Sequence, residues 1–271
     1  MTQSTSTPPA LPASSARARG RLVVLASGRG SNLLALLDAC RRDSADAGSD
    51  PMPPLQADVV LVVSDQPAAI ALDRARSAGI PAIALSARTH REAGGSRVGY
   101  DRRLADVIAR SNPDLVILAG FMHVLSPEFV ERFSGRLLNL HPALPGAFPG
   151  LHAIERAQEA FERGEIGETG VMVHHVVAEV DAGAPVRVEA LPMRAGEPLA
   201  ALEARVHALE HRLLVAAVAD MLAAIPDDAL AAVRPPPPDA PEAEAHAGDV
   251  DDGDANPSDP TRDEASDGKR I

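Results

Sequence analysis

The sequence predicts an α/β domain built on a doubly wound, mostly parallel β-sheet. Apolar runs of strand length alternate with segments of helical periodicity along most of the chain. The runs are continuously apolar, as in residues 22–25 (LVVL), which is typical of strands covered on both faces. A glycine-rich turn joins the first run to the first helical segment. These features together favour strand–helix–strand units over a bundle or a β-sandwich.

Seven runs predict strands, at residues 21–26, 58–64, 81–85, 114–119, 137–141, 169–177 and 185–191. The first five are short and largely apolar. The last two alternate in polarity, so we expect them to pair with each other. Ligands of such sheets bind at the carboxyl ends of the strands, which is where polar residues follow the apolar runs.

Helical periodicity separates these runs. Leucines at 33, 36 and 37 predict the first helix, and Ser126 followed by Pro127 is a typical helix start, with a cap residue and proline at the first position. The predicted helices are residues 32–42, 66–78, 97–111, a helix that begins at Ser126, 151–162 and 198–224.

Both ends of the chain have compositions typical of disorder. Residues 1–19 show no apolar periodicity, and residues 235–271 begin with four prolines and carry eleven acidic against three basic residues. We therefore predict a disordered segment at 1–19, a single folded domain at 20–226 and a disordered, proline-rich acidic tail at 227–271. The arginine and serine content of the first segment resembles a transit peptide faintly, and a ragged terminus is the simpler interpretation.

Composition excludes several functions. The net charge of −12 argues against nucleic acid as a partner, and no run reaches the ~18 apolar residues of a membrane span. The one cysteine, Cys40, lies at helical spacing from the leucines and is predicted to be a core residue. A single cysteine cannot form an internal disulfide, so the cytoplasm is the expected compartment. The sole lysine, Lys269, lies in the tail, which excludes a Walker A loop and a Schiff base in the folded domain.

A possible phosphate site follows the first strand. Residues 27–32 (SGRGSN) lead into the first helix, whose free N–H groups and dipole favour an anion, while Gly30 permits close approach of the backbone. Ser31 and Asn32 add hydrogen-bonding groups, and Arg29 adds a cation. A third glycine at the dinucleotide spacing is missing, since Leu33 stands there. The alternative is a tight turn in which Ser31 or Asn32 serves only as a helix cap.

A polar pair ends the fifth strand. Asn139 and His141 alternate along an apolar run, so period two places both side chains on one face. Asp181 follows His141 by forty positions, in a turn-rich stretch at another strand end. An amide, an imidazole and a carboxylate suit transfer of an acyl group to an amine. Alone, the histidine would be structural and the aspartate a solvated turn residue.

Other histidines give weaker signals. His174 and His175 are adjacent in a strand, so only one of them can face the site. His207 and His211 lie one turn apart on the last helix, a spacing that could chelate a metal, but no third ligand is evident. We predict that the site uses no metal.

Several motifs resemble those of the folate-dependent formyltransferases, over about residues 20–220. They are Ser27-Gly28-x-Gly30-Ser31-Asn32, Ala119-Gly120-Phe121-Met122 with Leu125-Ser126-Pro127, Asn139-x-His141-Pro142, Phe148-Pro149-Gly150 and Thr169-Gly170-x-x-Val173-His174. The resemblance implies a Rossmann-like fold and transfer of the formyl group of 10-formyltetrahydrofolate, without a metal. The first motif is most similar to the branch whose acceptor is the amine of glycinamide ribonucleotide in purine biosynthesis.

The resemblance also implies roles for individual residues. Catalysis would fall to Asn139, His141 and Asp181, with Asp181 favouring the protonated form of His141. The acceptor would be bound by Gly30, Ser31, Asn32 and Glu210. The folate would be bound by Arg97, Met122, His123, Val124, Leu125 and Val177, together with Asn139 and Asp181. The partners would be small molecules, with no nucleic acid or membrane, and the protein a monomer or homodimer.

The sequence also allows other interpretations of these residues and of the domain's function. Glu210 and Arg97 could be solvated residues on helix faces. The chain departs from the family pattern at His123, where several relatives have arginine, at the 144–147 loop, and at Ala184, which is added between Gly183 and Pro185. The whole domain could instead deformylate the same folate, serve another formyl acceptor, or bind its ligands without turnover.

Overall fold

The computed structural model describes residues 19–42 and 52–231. Its seven strands are β1 Gly20–Leu25, β2 Ala57–Ser64, β3 Ala82–Ala84, β4 Leu115–Leu118, β5 Leu137–His141, β6 Glu168–His175 and β7 Pro185–Pro192. The helices of these residues are α1 Ser31–Arg41, α2 Ile70–Ser77, α3 Ala87–Glu92, α4 Arg97–Arg110, α5 Pro127–Arg132, α6 Ala153–Glu162, α7 Leu199–Ala223 and α8 Asp227–Ala231.

All strands join one sheet in the order β3-β2-β1-β4-β5-β6-β7. The pairs formed among β1 to β5 are all parallel, whereas β6 pairs antiparallel with both β5 and β7. The predicted α/β class with a mostly parallel sheet is therefore confirmed. Because β1 lies between β2 and β4, the chain reverses its direction of progress across the sheet there. The carboxyl ends of β1 and β4 flank the crevice in which such folds bind ligands.

The core lies on both faces of the sheet. Leu22 and Val24 of β1 pack in the cluster that contains α1 and α7, and Val23 and Leu25 pack on the opposite face with α4 and α5. All four side chains are fully buried. Burial on both faces explains why the strand runs are continuously apolar rather than alternating.

Most element bounds differ from the sequence prediction by one or two residues, but two helices begin later for local reasons. Residue 70 rather than 66 begins α2, because Ala69 N–H donates to the Gln66 carbonyl in a turn. Helix α6 begins at Ala153 because Gly150 and His152 have left-handed backbone conformations, with φ of 82° and 58°.

Helix α3 was not predicted. Ser86 caps it by accepting from the Thr89 N–H at 3.1 Å, but none of its residues is buried, so the sequence shows no apolar periodicity there. Helix α8 occupies the first five residues of the segment predicted to be a disordered tail. The rest of that tail and the predicted segment before Arg19 lie outside the described residues. Within the described part of the chain, no helix is long and apolar enough to cross a membrane.

Candidate active site

The loop between β1 and α1 has the backbone that the phosphate interpretation needs. Gly30 is the N-cap of α1 with a φ of 70°, so neither Ser31 nor Asn32 is the capping residue. A Cβ atom on Gly30 would lie 2.8 Å from the Cβ of Ala71, closer than real contacts allow. Glycine is therefore required here twice, for its left-handed backbone and for close packing against α2.

Hydrogen bonds of Ser27 link this loop to the segment that follows β4. Its hydroxyl donates to Asp65 Oδ1 at 2.5 Å and accepts from the Met122 N–H at 2.8 Å. The Ser27 N–H donates to the Gly120 carbonyl at 2.9 Å. The predicted anion loop and the predicted folate segment are thus joined by hydrogen bonds at the carboxyl ends of neighbouring strands.

Asn139, His141 and Asp181 converge on one cavity of about 290 Å³. Asn139 Nδ2 donates to Asp181 Oδ1 at 3.0 Å, and His141 Nδ1 lies 3.4 Å from Asp181 Oδ2. His141 is buried, and its Nε2 has no hydrogen-bond partner among the described residues. Such an unpaired buried nitrogen at a cavity is costly in a folded protein unless a ligand or water uses it.

Asp181 is not a solvated turn residue. Its side chain is only 9% exposed, and its Oδ2 accepts from the Gly150 N–H at 2.8 Å. The residue has a left-handed backbone with a φ of 55°. Glycine at 183 allows the Asp181 loop to pack closely against the end of β6, because a Cβ there would lie 1.6 Å from the His175 carbonyl oxygen.

His174 is a fourth member of the cluster, and the sequence did not single it out. Its Nδ1 lies 2.9 Å from the His175 carbonyl oxygen, which can only accept, so Nδ1 carries a proton. In the neutral ring, Nε2 then accepts from Asn139 Nδ2 at 3.1 Å. Both N–H bonds of the Asn139 amide are therefore engaged, one by His174 and one by Asp181.

The position of His174 follows from the antiparallel pairing of β5 with β6. Asn139 lies directly opposite His174 in the register, so the two side chains meet on one face. Of the two adjacent histidines, His174 is thus the one that faces the site. The pairing of β6 with β7 becomes irregular between Val173 and His174, next to Ala184, whose carbonyl accepts from the His175 N–H at 3.0 Å.

Burial and the charge of Asp181 act on the pKa of His141 in opposite directions. Burial lowers that pKa below its ordinary value, and the Asp181 carboxylate and the backbone of Ala147 and Phe148 only partly oppose this. Asp181 thus favours the protonated form of His141, but desolvation is the larger effect. Burial alone would raise the pKa of Asp181, but the nearby His174 ring, with Nε2 3.5 Å from Oδ1, the hydrogen bond from the Gly150 N–H and the charge of His141 hold that pKa below its ordinary value.

The predicted folate residues line the same cavity, with one exception. Those that line it are Met122, His123, Val124, Leu125 and Val177. Met122 and Val124 are more than half exposed, although both are large and apolar. Arg97 lies instead on an adjoining cavity of about 390 Å³, which shares residues 122–124 with the first. Its guanidinium donates to the Val124 carbonyl at 2.6 Å.

The ring of His123 is fixed by neighbouring side chains. Its Nε2 lies 2.7 Å from Oδ1 of Asp101, whose other oxygen accepts from the Ser126 N–H at 2.7 Å. The His123 ring packs edge-to-face on Tyr100, with centroids 4.9 Å apart. The ring position is therefore fixed by the protein itself.

Glu210 lies beside the glycine loop rather than on a solvated face. It is 6% exposed, and its Oε2 accepts from Asn32 Nδ2 at 3.3 Å and from His207 Nδ1 at 2.9 Å. The predicted acceptor residues Gly30, Ser31, Asn32 and Glu210 do not line the cavity of Asn139 and His141. They form a second polar group, and Ser27, in the same loop, hydrogen-bonds to Gly120 and Met122, which line the first cavity. Over residues 19–42 and 52–231, no three His, Cys, Asp or Glu side chains are arranged to hold a metal ion.

Known proteins are similar to this chain in sequence. The sequence model of the formyl transferase family matches residues 20–218. The chain is 43% identical to the phosphoribosylglycinamide formyltransferase of Schizosaccharomyces pombe over 203 residues, covering 73% of this chain and 94% of that protein. It is 41% identical to the enzyme of the same name from Escherichia coli, covering 71% of this chain and 82% of that protein.

Solved structures of similarly named enzymes have a similar fold. The crystal structure of glycinamide ribonucleotide transformylase 1 from Geobacillus kaustophilus matches with a TM-score of 0.65 at 33% identity, over 75% of this chain and 99% of that one. The phosphoribosylglycinamide formyltransferase of Bacillus halodurans matches with a TM-score of 0.64 at 32% identity, over 75% and 96%. The chain therefore belongs to the formyl transferase family, among the phosphoribosylglycinamide formyltransferases.

Proposed function

We propose that this protein transfers the formyl group of 10-formyltetrahydrofolate to the amine of glycinamide ribonucleotide in purine biosynthesis. The observation that carries the proposal is the convergence of Asn139, His141 and Asp181 on one cavity, next to a glycine loop built for an anion. The acceptor has a phosphate and an amine, so it matches both parts of this arrangement.

His141 acts first as a base. Its lowered pKa leaves the imidazole neutral at physiological pH, so it can take a proton from the amine that attacks the formyl carbon. The new C–N bond converts the formyl oxygen into an oxyanion. The resulting imidazolium lies beside Asp181, stabilises the oxyanion and then returns the proton to N10 of the folate, whose bond to the formyl carbon breaks. Atoms and charge balance without a metal.

Asn139 supplies the second donor to the oxyanion. In the ligand-free protein its two N–H bonds point to His174 and Asp181. One of these hydrogen bonds must therefore break for the amide to donate to the oxyanion. His174 and Asp181 are thus positioning residues for this amide, since both hold it in place at the strand end. A donor fixed before the reaction costs little reorganisation during it.

The two ligands would bind at different parts of the site. The N–H groups of Gly30, Ser31 and Asn32 would hold the acceptor phosphate at the start of α1, and Glu210 would accept from the ribose hydroxyls. The exposed apolar side chains of Met122, Val124 and Val177 would cover the folate ring, with His123 and Leu125 behind them. Arg97, on the adjoining cavity, would pair with the negative glutamate end of the folate.

Compartment and assembly complete the proposal. A single cysteine in 271 residues suits the reducing cytoplasm, where we place the reaction. We expect a monomer or homodimer, which sedimentation equilibrium of the full chain would distinguish.

One assay tests the activity. Purified protein is incubated with 10-formyltetrahydrofolate, with and without glycinamide ribonucleotide, and formyl product, tetrahydrofolate and formate are quantified. Formylated acceptor and tetrahydrofolate should appear in equal amounts, and only when the acceptor is present. Formate without acceptor would identify a deformylase instead, and binding of both ligands without turnover would identify a silent binding protein.

A further inference from the structure

His207, to which the proposed function gives no role, forms an ion pair with Glu210 beside the glycine loop. His207 Nδ1 lies 2.9 Å from Glu210 Oε2, the same oxygen that accepts from Asn32 Nδ2. Glu210 is buried, whereas the His207 side chain is 51% exposed. The pair therefore extends from the first turn of α1 to the solvent, along the side of the proposed acceptor site.

The charged groups around His207 come from two elements. Glu203 and Glu210 of α7 favour its protonated form, Arg29 of the glycine loop disfavours it, and His211 lies on the next turn. The hydrogen bond with Glu210 is the largest of these effects and raises the pKa of His207 above its ordinary value of 6.5, despite partial burial. Burial lowers the pKa of His211, which leaves it neutral. His207 is thus the group of this cluster whose charge changes near neutral pH.

We propose that His207 is a positioning residue that sets the affinity for the phosphate-bearing acceptor, through the positive charge it places beside Glu210. The inference rests on the proposed function and concerns its acceptor site. A carboxylate close to the site of a phosphate dianion repels it. A protonated imidazole bonded to that carboxylate offsets the repulsion and holds Glu210 in one orientation. A neutral imidazole keeps the hydrogen bond but loses the charge.

The sign of the pH effect follows. Because protonation is favoured, the charge is present below the raised pKa and disappears as the pH rises through it. The KM for glycinamide ribonucleotide should therefore be lowest on the acid side and rise at higher pH. The effect should be confined to the phosphorylated acceptor and should leave kcat nearly unchanged, since His207 does not reach the reacting carbon in the proposed mechanism.

The test compares the KM of the acceptor from pH 6 to 9, in wild type and in variants at this position. His207→Gln keeps a donor for Glu210 without the charge, and His207→Arg keeps the charge at every pH. We expect His207→Gln to raise KM about fivefold at the acid end and to converge with wild type at the alkaline end. His207→Arg should keep a low KM throughout. Ratios of variant to wild type cancel the ionisation of the substrate itself.

Two controls sharpen the result. Arg212→Gln removes a positive charge from the same helix, where Arg212 pairs with Glu189 at 2.6 Å, and should leave the acceptor KM unchanged. The unphosphorylated glycinamide riboside should show no dependence on the residue at 207. The inference is overturned if the ratio of His207→Gln to wild type is flat with pH, if Arg212→Gln has the same effect, or if the riboside responds as the ribonucleotide does. Absence of formyl transfer in wild type would instead refute the proposed function.

Discussion

The carboxylate of Asp181 accepts a hydrogen bond from the amide of Asn139 at 3.0 Å, across 42 positions of sequence. The same carboxylate lies 3.4 Å from His141 and accepts from the Gly150 N–H. It therefore connects the end of β5 with the loop that contains Gly150 and with its own loop between β6 and β7. Catalysis and local stability should both depend on it.

Replacing this carboxylate should reduce catalysis more than binding. In Asp181→Asn the side chain keeps its size but loses its charge, so the imidazolium formed at His141 during the reaction has no counter-ion. We expect kcat to fall by about 10²–10³, as for the loss of one oxyanion donor, with a smaller change in the folate dissociation constant. Steady-state kinetics and equilibrium titration of the folate measure the two quantities. A decrease of less than threefold in kcat would contradict the assigned role.

The protonation of His141 can be measured directly. Burial places its pKa below 6.5, so an NMR titration of the ligand-free protein should show this imidazole neutral at pH 7 and charged only at lower pH. In Asp181→Asn the pKa should fall further, because the one nearby carboxylate that raises it is gone. A His141 pKa above 6.5 would show that the carboxylate outweighs burial and would return the mechanism to a protonated starting state.

Gly183 offers a steric test of the Asp181 loop. Gly183→Ala places a Cβ 1.6 Å from the His175 carbonyl oxygen, so the backbone must move. We expect a loss of about 3 kcal/mol in the free energy of unfolding and loss of activity. Gly167→Ala is the matched control, since its Cβ meets nothing within 4 Å. It should stay within about 0.5 kcal/mol of wild type in urea unfolding. Equal stability of the two variants would contradict the described loop.

Asp101 should stabilise the protein in a pH-dependent way. It is 1% exposed, and although burial alone would raise its pKa, the hydrogen bonds from His123 and Ser126 hold it below the ordinary 3.8. A lowered pKa means that its contribution is complete above 3.8 and is lost as the pH falls through the folded-state value. Asp101→Asn should cost about 2–4 kcal/mol at pH 7, measured by urea unfolding. The difference from wild type should shrink in acid, and a constant difference down to pH 2 would contradict this account.

The sequence predicted much of the fold for a simple reason. Continuous apolar runs reflect strands buried on both faces, as the alternate packing of Leu22 and Val23 illustrates. The convergence of Asn139 and His141 follows from period two and could be predicted locally. That Asp181 joins them could be expected only from the family resemblance and not from a local pattern, because its position depends on the left-handed backbone at 181 and on the close approach at Gly183.

Other features depend on tertiary contacts that no local pattern contains. The role of His174 requires the β5–β6 register, and the burial of Glu210 requires α7 to pack beside α1. The pKa of His141 is a balance between burial, the Asp181 carboxylate and other nearby groups, which sequence spacing alone cannot weigh. The exposed helix α3 has no apolar face, so periodicity could not reveal it.

The hydrogen bond from Asn32 to Glu210 closes a span of 178 positions. A ribosome has therefore made nearly the whole domain before this bond can form. Until then, the glycine loop at the start of α1 lacks its carboxylate neighbour, and a growing chain lacks the group proposed to bind the ribose. Any truncation ahead of residue 210 should leave the acceptor site incomplete, even though it begins with the first strand of the sheet.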